Sequence, residues 1–335
     1  MENNLRQRLD EFLAEKNQPP VISQLTPDAS TREYFRVKWF DNPAIACVYP
    51  FNDLCQGQFD ACLDVTNVFL SSNLPVAEIF ASDPEKAIII HEDFGDTILR
   101  DVLLESDEQE RERLLNEAIS MIARIQSATQ KAFELNSICS QLKFDEEKLL
   151  WELNFFKTHY FESLMKKPLS KSENSAIENE FVELSRELES YAKVLTHRDF
   201  HAANLMLPNG ELKIIDHQDA RLGSTAYDLV SLLLDRVTEL PTPEWLAEKR
   251  RFFLDEREKL GLEKLDANEY ANEFRLQTVQ RCLKAIGTFS FQSNFRGKTH
   301  FIQYIKPMFQ IVLRACENLD RFPNLQQTIN KQIIQ

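Results

Sequence analysis

Between Leu205 and Ile215 the chain reads Leu-Met-Leu, then Pro-Asn-Gly, then Glu-Leu-Lys-Ile-Ile. Two short apolar runs around an Asn-Gly turn signal specify a β-hairpin. A hairpin reverses the chain, so it carries Asp216 back beside Asn204. Just ahead of it, His197 to Asn204 reads His-Arg-Asp-Phe-His-Ala-Ala-Asn, with Asp199 five residues before Asn204. Two carboxylates and a carboxamide at this spacing suit the movement of a phosphoryl group from ATP to a hydroxyl. Such a transfer needs an acceptor oxygen held in line and magnesium to neutralise the phosphates. Asp199 is therefore the candidate catalytic residue, facing the attacking hydroxyl. Asn204 and Asp216 are the candidate ligands of Mg²⁺, a hard cation that takes one or two protein oxygens alongside phosphates and water.

Zinc is the competing reading of the same stretch. His197 and His201 are four apart and His217 follows, so three of the six histidines fall here. On a helix, an i, i+4 pair shares a face and binds Zn²⁺. Pro208, the Asn-Gly turn and the strand-like runs argue against a helix long enough to do that. His197 is better read as holding the loop through hydrogen bonds, and His201 either does the same or faces solvent.

The periodicity of apolar residues changes once along the chain. Leu5, Leu9, Phe12 and Leu13 predict an opening amphipathic helix that ends before Pro19-Pro20. Strand-like runs follow at Val21 to Leu25, Tyr34 to Trp39, Ala44 to Tyr49, Ala77 to Ala81 and Ala87 to His91, with a helix around Phe59 to Leu70 between the third and fourth. After Gly95 helical spacing dominates, through Ile98 to Leu104, Leu114 to Ile125, Leu149 to Phe161, Ile177 to Leu188, Leu229 to Val237, Trp245 to Leu260, Phe274 to Phe291 and Phe301 to Leu319. This predicts an α+β chain in two lobes: residues 1–95, small and mainly antiparallel β, and residues 96–335, larger and mainly α-helical. The charge run Ser106 to Arg113 reads as a solvated helix start.

Composition narrows the function. Only 7 glycines occur and no G-x-G-x-x-G or Walker sequence, which excludes a glycine-built phosphate cradle. A net charge of −14 disfavours nucleic acid, where binding rests on Lys and Arg. The six cysteines are scattered with no C-x-x-C, as in buried thiols of a reducing compartment. The charged N-terminus is unlike a signal peptide, and no run approaches the ~20 apolar residues of a membrane span. These features predict a cytoplasmic protein that binds neither nucleic acid nor membranes.

Four stretches, together with the catalytic constellation, resemble the aminoglycoside phosphotransferase family and, within it, the branch of sugar kinases that phosphorylate N-acetylmuramate and N-acetylglucosamine at C1. They are Asp28-Ala-Ser-Thr-Arg-Glu-Tyr-Phe-Arg36, Glu92-Asp-Phe-Gly-Asp96, Asp216-His-Gln-Asp-Ala220 with Thr225-Ala-Tyr-Asp228, and Val279-Gln-Arg-Cys-Leu-Lys-Ala-Ile-Gly287. The resemblance implies a protein-kinase-like two-lobe fold, ATP and Mg²⁺ as cofactors, and a hinge at Glu92, Asp93 and Phe94 that pairs with the adenine. Three features depart from the pattern. His217 stands where Phe is usual, Ser224 where Pro is common, and Ala44 to Pro50 contains no Lys to grip phosphate. Ser30 and Thr31 are left to cover the phosphates and Arg32 to offset their charge. Asp228, with His197 and Arg198, is read as structural support for the catalytic loop. Gln218, Arg221, Glu152 and Arg281 are candidates for the acceptor, and Asp219 either lines it or serves a structural hydrogen bond. The implied activity is ATP- and Mg-dependent phosphorylation of an amino sugar at its anomeric hydroxyl. Aminoglycoside, choline-like or other alcohol phosphorylation stands as the alternative, and a regulator that has lost catalysis stands behind both.

Overall fold

The computed structural model describes residues 5–25 and 32–333. Ser30 and Thr31 therefore lie outside the described residues. The chain forms two compact units. The first takes in Met1–Arg111, Gln130–Cys139 and Ala202–Ala220; the second takes in Glu112–Thr129, Ser140–His201 and Arg221–Gln335.

The first unit is built on an antiparallel five-stranded sheet, ordered β1-β2-β3-β5-β4, from β1 (Ser23–Leu25), β2 (Glu33–Trp39), β3 (Asn42–Val48), β4 (Ile79–Asp83) and β5 (Ile88–Glu92). Alternation along each strand sorts side chains to two faces. Ala44, Ala46, Val48, Ile88 and Ile90 face α1 (Leu5–Glu15), whose Leu5, Leu9, Phe12 and Leu13 fill that side. Cys47, Tyr49 and Ile89 face the other way, onto Phe59 and Cys55 of α2 (Asp53–Ser71). Both faces are thus covered, each by one helix. A short helix, α3 (Leu99–Glu105), follows β5.

The predicted hairpin belongs to this first unit. Its strands β7 (Leu205–Met206) and β8 (Lys213–Ile214) are shorter than the apolar runs, and the turn between them is a single 3₁₀ turn at Pro208–Gly210. Asn209 (φ 53°) and Gly210 (φ 82°) both take left-handed backbone there, which explains the Asn-Gly pair. The hairpin is clamped from both sides: the Leu207 N–H donates to Thr97 O (2.9 Å) and the Ile214 N–H donates to Pro75 O (2.9 Å).

The second unit is helical. It contains most of α4 (Glu108–Ser127), which opens within the charged run, and then α7 (Glu146–Lys157), a π-helical segment Thr158–Leu164, α8 (Lys171–Tyr191), α9 (Tyr227–Leu234), α10 (Pro243–Lys259), α11 (Ala267–Phe295), α12 (Ile305–Leu319) and α13 (Pro323–Ile333). Two short helices, α5 (Thr129–Glu134) and α6 (Ile138–Gln141), run across the divide in the chain, and β6 (Val194–Thr196) pairs with β9 (Arg221–Gly223). Helix α11, about 43 Å long by its rise, is buried on nearly all sides. Polar residues on such a helix need partners, and those partners define the site. The crossing of α11 on α7 is close: a Cβ on Gly287 would sit 2.7 Å from Phe156 Cα and 2.9 Å from its N. Only glycine admits that approach.

Candidate active site

The hairpin places Asn204 and Asp216 at its two open ends. The Ile215 N–H donates to Asn204 O at 3.1 Å, so Asp216 begins one residue beyond the last bond joining the strands. Asp216 itself takes left-handed backbone (φ 62°), uncommon for a residue with a Cβ. Its Oδ1 accepts from Gln218 Nε2 (2.9 Å) and Arg32 Nη2 (3.4 Å), and its side chain keeps 42% exposure. No hydrogen bond to Oδ2 is found among the described residues. Hard oxygen donors with one carboxylate oxygen still open fit a magnesium ion. Among the described residues no group of three or more His, Cys, Asp or Glu gathers as a metal cage. A cation here would therefore depend on these two side chains plus ligands from outside the protein.

Arg32 lies buried in the first unit with its guanidinium between the rings of Tyr34 and Tyr49, 5.7 and 5.6 Å from their centroids. Burial works to lower its pKa, but Tyr34, Cys47, Tyr49 and Asp216 raise it above the ordinary value. It stays charged, and it reaches the exposed Asp216. At the next position His217 packs inward, its Nε2 2.7 Å from Thr66 Oγ1 and its ring stacked on Phe69 at 5.1 Å. The histidine ring packs as an aromatic residue would, turned away from the neighbouring carboxylate toward Thr66 and Phe69.

The hinge candidates occupy the end of β5 and the residues after it. The Asp93 side chain is committed to Arg36 (2.6 Å) and to the Gly95 N–H (2.8 Å), and Phe94 is buried. Any pairing with an adenine at Asp93 therefore falls to backbone groups. Glu92 already spends its N–H on Glu78 O (2.9 Å).

In the second unit Asp199 sits among cations. Lys284 Nζ donates to its Oδ1 at 3.1 Å and Arg281 Nη2 lies 3.4 Å from the same oxygen; Arg198 Nε is 3.9 Å from Oδ2. Burial pushes the Asp199 pKa up, but Lys284, Arg198 and Arg281 overcome this and hold it well below the ordinary carboxylate value. Asp199 is thus a firmly ionised acceptor. Behind it, Arg198 has φ 85°, a strained backbone for a non-glycine residue. Asp228, fully buried, holds that bend by accepting from the His197 N–H (2.7 Å) and the Arg198 N–H (3.0 Å). Burial raises the Asp228 pKa to about 6. His197 is buried at the same brace, edge-on to Phe200.

Beside Asp199 opens a cleft of about 250 Å³ lined by Trp151, Glu152, Phe155, Arg198, Lys284 and Thr288. A directed hydrogen-bond chain ends there. Ser224 Oγ donates to Gln277 Oε1 (2.8 Å), Gln277 Nε2 donates to Gln280 Oε1 (2.9 Å), and Gln280 Nε2 donates to Glu152 Oε2 (2.8 Å). All four side chains are buried, and Glu152 Oε1 has no hydrogen-bond partner among the described residues. A buried carboxylate oxygen without a donor costs free energy, and the cleft is where a donor can enter.

The other acceptor candidates are distributed differently. Gln218 serves Asp216 and lies 3.5 Å from Asp219 Oδ2, so both stand with the hairpin in the first unit. Arg221 lies in β9 with its guanidinium 5.4 Å from the Phe144 ring. Arg281 donates to Ser231 Oγ (3.0 Å) as well as approaching Asp199. Lys284 was not singled out from the sequence. The signal was present: 281, 284 and 288 share one face of α11, and 148, 151, 152 and 155 share one face of α7.

A family model described as the phosphotransferase enzyme family matches residues 21–262. The chain belongs to this family. The phosphotransferase is 29% identical over 266 residues to the N-acetylmuramate/N-acetylglucosamine kinase of Neisseria meningitidis, covering 78% of this chain and 76% of the relative. It is 25% identical over 300 residues to the enzyme of the same name from Pseudomonas aeruginosa, covering 89% and 84%. Among solved structures, a gentamicin complex of an aminoglycoside phosphotransferase matches at TM-score 0.62 and 15% identity, over 92% of this chain and 97% of that one. The choline kinase of Streptococcus pneumoniae matches at 0.58 and 14%, over 94% and 100%. The fold is kinase-like, and the protein is a small-molecule kinase of a family that uses ATP.

Proposed function

We propose that this phosphotransferase moves the γ-phosphoryl group of ATP to the anomeric hydroxyl of an N-acetylated amino sugar. Two relatives named N-acetylmuramate/N-acetylglucosamine kinase match over most of the chain, which supports an amino-sugar acceptor. The observation that carries the reading is Asp199, ionised and hydrogen-bonded to Lys284, at the edge of a cleft with an aromatic wall and a carboxylate oxygen awaiting a donor. Apolar ring faces and buried polar acceptors together suit a sugar, which has both C–H faces and hydroxyls. In this reading Asp199 orients the hydroxyl and receives its proton, and Glu152 accepts from a second hydroxyl or the amide N–H. Asn204 and Asp216 hold magnesium, which when bound neutralises phosphate charge. Arg32 supplies the fixed positive charge that the strand Asn42–Val48 lacks. Asp93 and Phe94 offer backbone groups to the adenine, while Glu92, its N–H spent on Glu78 O, has only its carbonyl to give.

The alternative acceptors, aminoglycosides and cholines, are cations. The cleft offers them one carboxylate, Glu152, against the positive charges of Arg198 and Lys284. A panel of amino sugars, aminoglycosides and amino alcohols with MgATP, read as transfer of labelled phosphate, tests the assignment. Transfer to N-acetylmuramate or N-acetylglucosamine is expected. Consumption of an aminoglycoside with both sugars untouched would overturn the acceptor and keep the kinase, and failure in single turnover with every acceptor would indicate lost catalysis.

A further inference from the structure

The cleft in the second unit is more positive than a neutral sugar requires. Arg198 and Lys284 line it. Lys148, one turn before Glu152 on α7, lays its ammonium over the Trp151 ring at 4.2 Å. No carboxylate lies within ion-pair distance of Lys148 among the described residues. Burial lowers the Lys148 pKa and the neighbouring Arg198, Arg221 and Lys284 lower it further, with Glu152 opposing; Lys284 is likewise lowered by burial and by Arg281. Five cations, Lys148, Arg198, Arg221, Arg281 and Lys284, thus stand near three carboxylates, Glu152, Asp199 and Asp235, in a chain whose net charge is −14. An ammonium such as that of Lys148, partly desolvated and with no carboxylate in ion-pair reach among the described residues, is costly unless an anion arrives to meet it.

We propose that Lys284 and Lys148 are specificity-determining residues that select an acceptor carrying a carboxylate. The inference rests on the amino-sugar reading and refines it: an acidic sugar such as N-acetylmuramate is preferred over its neutral counterpart N-acetylglucosamine. Lys284 has three donors and gives one to Asp199, so it can hold the catalytic carboxylate and the acceptor together. Lys148 is fixed at the rim by Trp151, whose ring is 56% exposed and free to meet the sugar face. The close crossing at Gly287 brings the two helices that carry these groups within reach of one ligand.

The test uses the full chain with MgATP and compares kcat/KM for N-acetylmuramate and N-acetylglucosamine. The wild type should favour the acid. Lys148→Met should lower the acid-to-neutral ratio by about tenfold or more, the scale of a lost hydrogen bond to a charged group, and Lys148→Arg should restore it. Lys284→Met should lower the same ratio and also kcat on both sugars, because Asp199 loses a partner. A ratio unchanged in both methionine variants overturns the proposal. So does a rise in KM for ATP in place of the acceptor, which would assign these cations to the nucleotide. If neither sugar is a substrate of the wild type, the amino-sugar reading and this refinement fall together, whereas an unmoved ratio with active sugars sinks the refinement alone.

Discussion

Asp216 and Asp199 are the two aspartates on which the proposed chemistry rests, yet their surroundings differ in kind. Among the described residues, Asp216 keeps 42% exposure, has one cation at 3.4 Å and one oxygen with no partner; its position follows from a turn and two backbone clamps. Asp199 is 29% exposed, faces Lys284, Arg281 and Arg198, and depends on a strained residue braced from behind by Asp228. A carboxylate meant for a metal must stay open to ligands from solvent. A carboxylate meant to receive a proton must be held ionised and aimed. Local backbone suffices for the first, while the second needs helices distant in sequence.

That contrast predicts how each half fails. Asp199→Asn should cost roughly 10²–10⁴ in kcat, the usual scale for losing a general base, while KM for MgATP stays near wild type. A variant with normal kcat and a raised KM for MgATP would exchange the roles of the two halves. Arg32→Met should raise KM for MgATP by about 10–100-fold, as expected for a lost charge-assisted contact, with far-ultraviolet dichroism unchanged; a nucleotide titration of the folded variant decides it. Acid should act on the second half first. The Asp228 pKa is raised to about 6, so as pH falls through 6 its carboxylate is protonated and one acceptor for the His197 and Arg198 N–H groups is lost. Activity should therefore drop about tenfold per pH unit below that midpoint, and Lys284→Met should leave the midpoint in place. A midpoint at or below 4 would assign the limb to another carboxylate. Last, Gly287→Ala forces its Cβ against the Phe156 backbone and should cost about 1–3 kcal/mol of stability, as overpacking does. Thermal melts should show it, with a modest loss of kcat as Lys284 shifts.

The same contrast explains what could be read from the sequence. The hairpin, the strands and the change of period after Gly95 are local signals, and the strands observed differ from the apolar runs by a few residues at their ends. The pairing of Asn204 with the residue before Asp216 follows from the turn alone. Residues whose roles arise between helices were harder. Lys284 stood in the sequence only as one letter of a longer stretch, because its meaning comes from α11 lying on α7 and reaching back to Asp199. Gln218 was expected toward the acceptor but donates to Asp216, two residues away, a local bond that sequence spacing permitted. The cover over the phosphates expected of Ser30 and Thr31 falls outside the described residues. Helices α5 and α6 are too short to show a helical period, whereas α13 carries Leu325, Ile329 and Ile333 at helical spacing, a signal present in the sequence and not singled out.

The chain of bonds running to Glu152 has a head and a tail. A carboxamide presents an acceptor at one edge and donors at the other, so the orientation of Gln280 dictates that of Gln277, and both are set by the hydroxyl proton of Ser224. Proline, which the family resemblance would put at that position, offers no such proton. In this protein the loop after β9 therefore fixes, from three side chains away, which oxygen of a buried acid is left open to the cleft.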